Sequence, residues 1–121
     1  MMVVLDTNFI TLPTQFKVDI FDEIAKKISG AKLLTVSQVV KELEALGTNG
    51  RVGLEMLKKF GVKIVNRPGE TDDALLELAV ERRGVLCTND KELKRRALGM
   101  NVPVMFMRKK KILEISGGLD V

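Results

Sequence analysis

The strongest constraint in this sequence is an alternation. Short apolar runs, Val3-Val4-Leu5, Lys32-Leu33-Leu34-Thr35-Val36, Val62-Lys63-Ile64-Val65, Val85-Leu86-Cys87-Thr88 and Val102 to Met107, take turns with stretches whose apolar residues recur at helical spacing. Those stretches carry Phe21, Ile24, Ala25 and Ile28; Val39, Val40, Leu43 and Leu46; Leu54, Leu57 and Phe60; and Leu93, Ala97 and Leu98. Continuous apolar runs of this length fit strands buried on both faces, and strand-helix alternation returns each strand parallel to the one before. The predicted class is α/β with a parallel sheet, ending in Val102 to Met107 and Ile112 to Ile115 as the last strands.

The connections are read from their breakers. Thr11 to Phe16, with Pro13, reads as a loop, and Ser29-Gly30 stops the helix that follows. Ser37 and Thr71 are predicted helix caps, and Gly84 is predicted to end the helix before Val85. The glycine-rich Gly47 to Gly53 reads as a surface loop. It is not a phosphate-binding P-loop, because it follows a helix and lacks the closing Lys-Ser or Lys-Thr.

With 121 residues the chain is expected to form one domain, residues 1–121. No apolar run approaches the roughly 20 residues of a membrane span, and the N-terminus lacks a signal peptide's basic-then-apolar layout. The cytoplasm is the expected location, with no membrane partner. The single cysteine, Cys87, sits in an apolar run and reads as a packed thiol. Histidine is absent altogether, which removes the usual general base of metal-free hydrolases and the commonest zinc ligand. A net charge of +4 and a pI near 9.3 favour a nucleic-acid partner.

Chemistry gathers where strands end. Val3-Val4-Leu5 runs into Asp6-Thr7-Asn8, and Val85-Leu86-Cys87 runs into Thr88-Asn89-Asp90. Glu42 follows Ser37 by five positions, and Asp72-Asp73 open the helix after Pro68-Gly69. Each has an ordinary alternative: a turn or cap for Asp6, a solvated border position for Glu42, and complementation of the helix dipole for Asp72 and Asp73. As a set, however, Asp6, Glu42, Asp73 and Asp90 belong to one edge of a parallel sheet and are expected to converge. Like-charged carboxylates brought together are destabilising without a cation. Oxygen donors without histidine or thiolate suit Mg²⁺ or Mn²⁺, one or two ions, and such sites support phosphodiester hydrolysis.

On these residues the sequence resembles the PIN-domain family of metal-dependent ribonucleases. The resemblance rests on Leu5-Asp6-Thr7-Asn8, on Ser37 with Glu42, on Asp73-Ala74-Leu75 and on Cys87-Thr88-Asn89-Asp90, in that order along nearly the whole chain. It implies a three-layer α/β/α domain around a mainly parallel sheet. It also implies an acidic metal site of Asp6, Glu42, Asp73 and Asp90 with Asn8, Ser37 and Thr88 as polar support. Asp72 is the alternative to its neighbour Asp73, since successive helical residues diverge by about 100° and only one of the two points fully inward; Asp73 is the expected ligand. The stretch from Asn89 to Arg96, followed by Val102-Pro103-Val104-Met105, looks closer to nucleases that process small-subunit ribosomal RNA than to toxins of VapC type. Both roles stay open, with a ribosome-assembly factor or an antitoxin as the implied partner. So does an RNA-binding scaffold that keeps the fold without turnover.

Two basic groups are candidate RNA contacts: Lys91, Lys94, Arg95 and Arg96 on one helix, and Arg108, Lys109, Lys110 and Lys111 in a turn. A solvated helix face and a charged turn are the plain alternatives. With no Trp or Tyr and five Phe, backbone and shape contacts are expected to dominate over base stacking. Members of the family often pair, so a homodimer is a further implied partner, and Met105, Phe106 and Met107 read as either core or interface.

Overall fold

The computed structural model describes residues 1–109 and 112–118. Among them the chain forms β1 (Met2–Leu5), α1 (Thr7–Ile10), α2 (Leu12–Gln15), α3 (Ile20–Lys27), β2 (Lys32–Val36), α4 (Ser37–Ala45) and α5 (Thr48–Lys59). It continues through β3 (Lys63–Val65), α6 (Thr71–Arg82), β4 (Val85–Cys87), α7 (Lys91–Gly99), β5 (Val104–Arg108) and β6 (Ile112–Ser116). The strands make one sheet in the order β3-β2-β1-β4-β5-β6, parallel except for the β5-β6 hairpin. Helices flank it to give the expected three-layer α/β/α architecture.

The order matters for the site. The chain builds outward from β1 through β2 to β3, then returns to lay β4 on the other side of β1 and builds outward again. The reversal falls between β1 and β4, where Leu5 pairs with Cys87. Helices departing to opposite sides leave a crevice at the carboxyl ends of such strands. β1 and β4 are the most buried strands, with Val3, Val4, Leu5, Val85, Leu86 and Cys87 all inaccessible, and burial pushes the Cys87 thiol well above its usual range. Met105 is also core, while Phe106 is half-buried beneath Lys94, whose ammonium lies 3.4 Å from the ring centre. Among the described residues no helix is long and apolar enough to cross a membrane.

Several local expectations are corrected. The segment from Thr11 to Phe16 is mostly α2 rather than loop, with Pro13 in the first turn, where its missing N–H costs nothing. Most of Gly47 to Gly53 is the first turns of α5. Its glycines are there for contact: a Cβ on Gly50 would lie 1.6 Å from the Leu43 carbonyl oxygen of α4, and one on Gly53 would lie 3.0 Å from the Leu43 side chain. Helix α6 ends on Arg83 in the left-handed region at φ 52°, and Gly84 instead admits the Met2 carbonyl of β1, 2.7 Å from where its Cβ would stand. Neither Ser37 nor Thr71 is an N-cap: Val36 and Glu70 hold those positions.

Candidate active site

The β1-β4 reversal is closed by a chain of hydrogen bonds. The Asp6 backbone N–H donates to the Cys87 carbonyl at 3.0 Å, extending the ladder by one residue. Thr35 of β2 donates to the Leu5 carbonyl at 2.6 Å and fixes the same corner from the other side. The Asp6 carboxylate, 5% exposed, accepts the Thr7 N–H on Oδ1 at 2.7 Å and the Thr88 hydroxyl on Oδ2 at 2.6 Å. Thr88 Oγ1 also lies 3.4 Å from Asn8 Oδ1, but a hydroxyl has one proton and Asp6 is nearer. The same oxygen accepts the Asp90 N–H at 3.1 Å, so the two strand exits are bonded through one threonine.

Asn8 and Asn89 complete the frame. Asn8 Oδ1 accepts the Asn89 N–H at 3.0 Å, and Asn89 Oδ1 accepts the Met107 N–H at 2.8 Å, which ties the β4 exit to β5. Asp90 caps α7 by accepting the Leu93 N–H on Oδ1 at 2.9 Å. Its capping role and its place on the rim therefore coexist.

Glu42 is held from two directions. Although exposed, it accepts the Thr7 hydroxyl on Oε1 and the Thr71 hydroxyl on Oε2, each at 2.5 Å. Thr7 adjoins Asp6 and Thr71 adjoins Asp72, so this one carboxylate joins the exit of β1 to the start of α6. Gln38 supports the same junction by donating to the Arg67 and Gly69 carbonyls, both at 2.8 Å. The Ser37 hydroxyl reaches only its neighbour Gln38, at 3.3 Å, and bonds no acid.

The electrostatics define the set. Burial, with smaller contributions from Asp72 and Glu42, pushes the Asp6 carboxyl from its ordinary 3.8 up to about 6, against the opposing pull of the Thr88 and Thr7 bonds. Asp72, half-buried, is also raised, first by burial and then by the negative charge of Asp90, while Arg96 draws it down. The charges of Asp72 and Glu42 are thus felt at Asp6, and those of Asp90, Glu42 and Asp73 at Asp72. Asp73 differs in its partner: it is exposed, and its Oδ1 accepts Arg96 Nη2 at 2.7 Å. Of the two neighbours, Asp72 is the half-buried one whose charge is felt at Asp6, while the Asp73 carboxylate is engaged by Arg96.

The rim is looser than the sequence suggests. Among the described residues no group of three or more acidic side chains stands close enough to enclose a cation in this arrangement. Glu42 is bonded to two threonines, Asp90 to the first turn of α7 and Asp73 to Arg96, so each of these carboxylates has a partner of its own. In kind, the donors still fit a hard divalent cation: they are all oxygen, and the buried Asp6 has no cationic partner among the described residues.

The basic candidates separate. Arg95 is paired with Glu92, Arg108 with Glu114 at 2.8 Å, and Lys94 covers Phe106; Lys91 and Lys109 are exposed. Arg96 alone of these lines the acidic cleft. Lys110 and Lys111 lie outside the described residues.

Sequence reading missed the part that Thr7, Thr71, Asn89 and Gln38 play in the site. The available signal was a hydroxyl beside an acid at each exit: Asp6-Thr7, Thr71-Asp72 and Thr88 with Asp90. Replacing Thr88 by Val is expected to raise the Asp6 pKa further and to lower activity about 10- to 100-fold, as lost supporting bonds do. A pH-activity profile checks it: the acid limb moves to higher pH in Thr88→Val and returns in Thr88→Ser.

The family profile described as PIN like domain matches residues 3–110. Ribonuclease VapC4 of Methanocaldococcus jannaschii is 33% identical over 126 residues, covering 95% of this chain and 96% of that protein. The rRNA-processing protein fcf1 of Schizosaccharomyces pombe is 29% identical over 116 residues; the match spans 91% of this chain and 60% of fcf1. Among solved structures, the PIN domain endonuclease Utp24 superposes with a TM-score of 0.84 at 25% identity, covering 99% of this chain and 94% of that one. With the strand order, the acidic rim and a profile spanning all but the ends, the chain belongs to the PIN-like domain family.

Proposed function

We propose that the protein is a Mg²⁺- or Mn²⁺-dependent endoribonuclease whose cation is held by Asp6, Glu42, Asp72 and Asp90. The observation that carries this reading is the rim itself: four carboxylates at the strand-order reversal, one of them buried and raised to about 6 with no basic side chain paired to it among the described residues. Relatives named as ribonucleases and an endonuclease support the reaction class.

The chemistry that a divalent cation supplies when bound is Lewis acidity toward a phosphodiester oxygen and toward the attacking water. The residues do the rest. Thr88 keeps Asp6 oriented and its charged form hydrogen-bonded, Thr7 and Thr71 hold Glu42 on the rim, and Asp72 and Asp90 face the same space from two helix starts. Protonation of Asp6 competes with cation binding, so cation affinity is expected to weaken as pH falls through about 6.

The same PIN-like frame serves more than one role among its relatives, and we favour processing of ribosomal RNA, on the likeness to the rRNA-processing protein fcf1. The end-to-end match with VapC4 favours a second reading, a toxin ribonuclease held by an antitoxin partner. Expression without any partner separates them: growth arrest points to the toxin and harmless expression of an active enzyme to processing. The activity is tested by incubating structured and single-stranded RNA with Mn²⁺. Cleavage that stops with EDTA is expected; cleavage that survives EDTA, or none at any Mn²⁺ concentration with RNA still bound, overturns the nuclease reading, the last in favour of a scaffold.

A further inference from the structure

A cleft of about 520 Å³ opens on the rim, lined in part by Glu42, Glu70, Asp72 and Asp73 together with Arg96. Among the described residues lining it, Arg96 carries the one positive charge against these four carboxylates. An RNA backbone approaching such a surface meets strong repulsion, and among the described residues lining the cleft one side chain supplies neutralising charge. Arg96 is positioned for it. It lies on α7, two turns from the Asp90 cap, and its side chain is 38% exposed. Its one hydrogen bond to a described residue is Nη2 to Asp73 Oδ1 at 2.7 Å, and the rest of its donor fork is open to a second acceptor.

The contact to Asp73 has little structural weight by itself. Asp73 is 55% exposed, and ion pairs between exposed partners contribute about 0–1 kcal/mol to stability. It does fix a direction. One carboxylate oxygen from the first turn of α6 pins one nitrogen of a planar guanidinium beside Asp72, and a pinned fork binds a phosphate with less loss of side-chain freedom. Of the other basic residues of the helix, Arg95 turns to Glu92, Lys94 lies over Phe106, and Lys91 is exposed and does not line the cleft.

We infer that Arg96 is the chain's phosphate contact inside the acidic cleft, and that Asp73 positions its guanidinium rather than ligating a cation. The inference rests on the ribonuclease reading above. The adjacent acids then have separate roles, with Asp72 facing the cation and Asp73 facing the arginine.

The test uses a short fluorescein-labelled oligouridylate read by anisotropy in EDTA, and thermal shift with Mn²⁺ alone. Arg96→Gln is expected to weaken RNA binding about 10-fold and to lower the salt dependence by the equivalent of one phosphate contact, with Arg96→Lys intermediate. Asp73→Asn is expected to weaken RNA binding less, about 3-fold, and to keep the Mn²⁺-induced rise in melting temperature that Asp72→Asn loses. Wild-type affinity and salt slope in Arg96→Gln would overturn the role of the arginine. Loss of the Mn²⁺ response in Asp73→Asn with retention in Asp72→Asn would overturn the division of the acids. Failure of the nuclease reading looks different, since the wild type would then leave RNA uncleaved in Mn²⁺ while the Arg96 effects in EDTA persist.

Discussion

Asp6→Asn is expected to cut cleavage by about 100-fold or more and, in the metal-free protein at pH 7.5, to raise the melting temperature. The two effects share a cause. Burial lifts the Asp6 pKa from 3.8 to about 6, roughly two units, so the folded state favours the protonated acid relative to the unfolded chain. The favourable contribution is fully present below pH 3.8 and is lost as pH rises through about 6. At pH 7.5 the ionised side chain therefore costs about 2–3 kcal/mol, which for a domain of this size corresponds to several degrees. Asparagine removes the charge and keeps the frame. Its oxygen can accept the Thr7 N–H, its amide can donate to Thr88, and the Thr88 proton can turn to Asn8, 3.4 Å away. Cleavage is expected to fall by about 10²–10³-fold or more, the scale of losing one electrostatic element of a reaction centre. Calorimetry across pH 4–8 with a cleavage assay checks both: a lower melting temperature for Asp6→Asn at pH 7.5 would mean that the carboxylate's hydrogen bonds outweigh its burial.

The second large effect is far from the chemistry. Gly50→Ala places a methyl 1.6 Å from the Leu43 carbonyl oxygen, which belongs to the backbone of α4 and cannot turn aside. Helix α5 must then move away from α4, with an expected cost above about 3 kcal/mol that outweighs the roughly 1 kcal/mol gained in helix propensity. Gly53→Ala is the control. Its Cβ meets Leu43 Cδ2 at 3.0 Å and the Ile10 Cγ2 methyl at 3.1 Å, side-chain atoms rather than backbone, so the expected cost is smaller, about 1 kcal/mol. Urea unfolding of both variants measures the difference. Equal stability would mean that α5 is free to slide on α4.

Most of the architecture was readable because the apolar runs of β1, β2 and β4 are unambiguous and their exits carry the acids. What the sequence obscured has physical reasons. Glycine both breaks helices and lets them touch, so Gly50 and Gly53 read as loop when they are packing positions. The phase of α6 could not be set by its apolar pattern, since Ala74, Leu75, Leu76, Leu78 and Ala79 are buried around most of its circumference. With no single apolar face, the pattern gave the expectation of Asp73 over Asp72 no firm footing; the Gln38 bonds to the preceding loop and the Thr71 bond to Glu42 orient the first turn. Thr7 and Thr71 are likewise unremarkable until Glu42, 35 and 29 residues away, is brought between them.

The central claim is that the rim of Asp6, Glu42, Asp72 and Asp90 is a divalent-cation site. The most direct test is anomalous diffraction from a crystal soaked in Mn²⁺. The expected result is a peak bounded by Asp6, Asp72 and Asp90, with Glu42 on its border and the Arg96 contact of Asp73 intact. A soaked crystal with no peak at the rim, or one in which Asp73 has left Arg96 to bind the ion while Asp72 faces away, would contradict the claim.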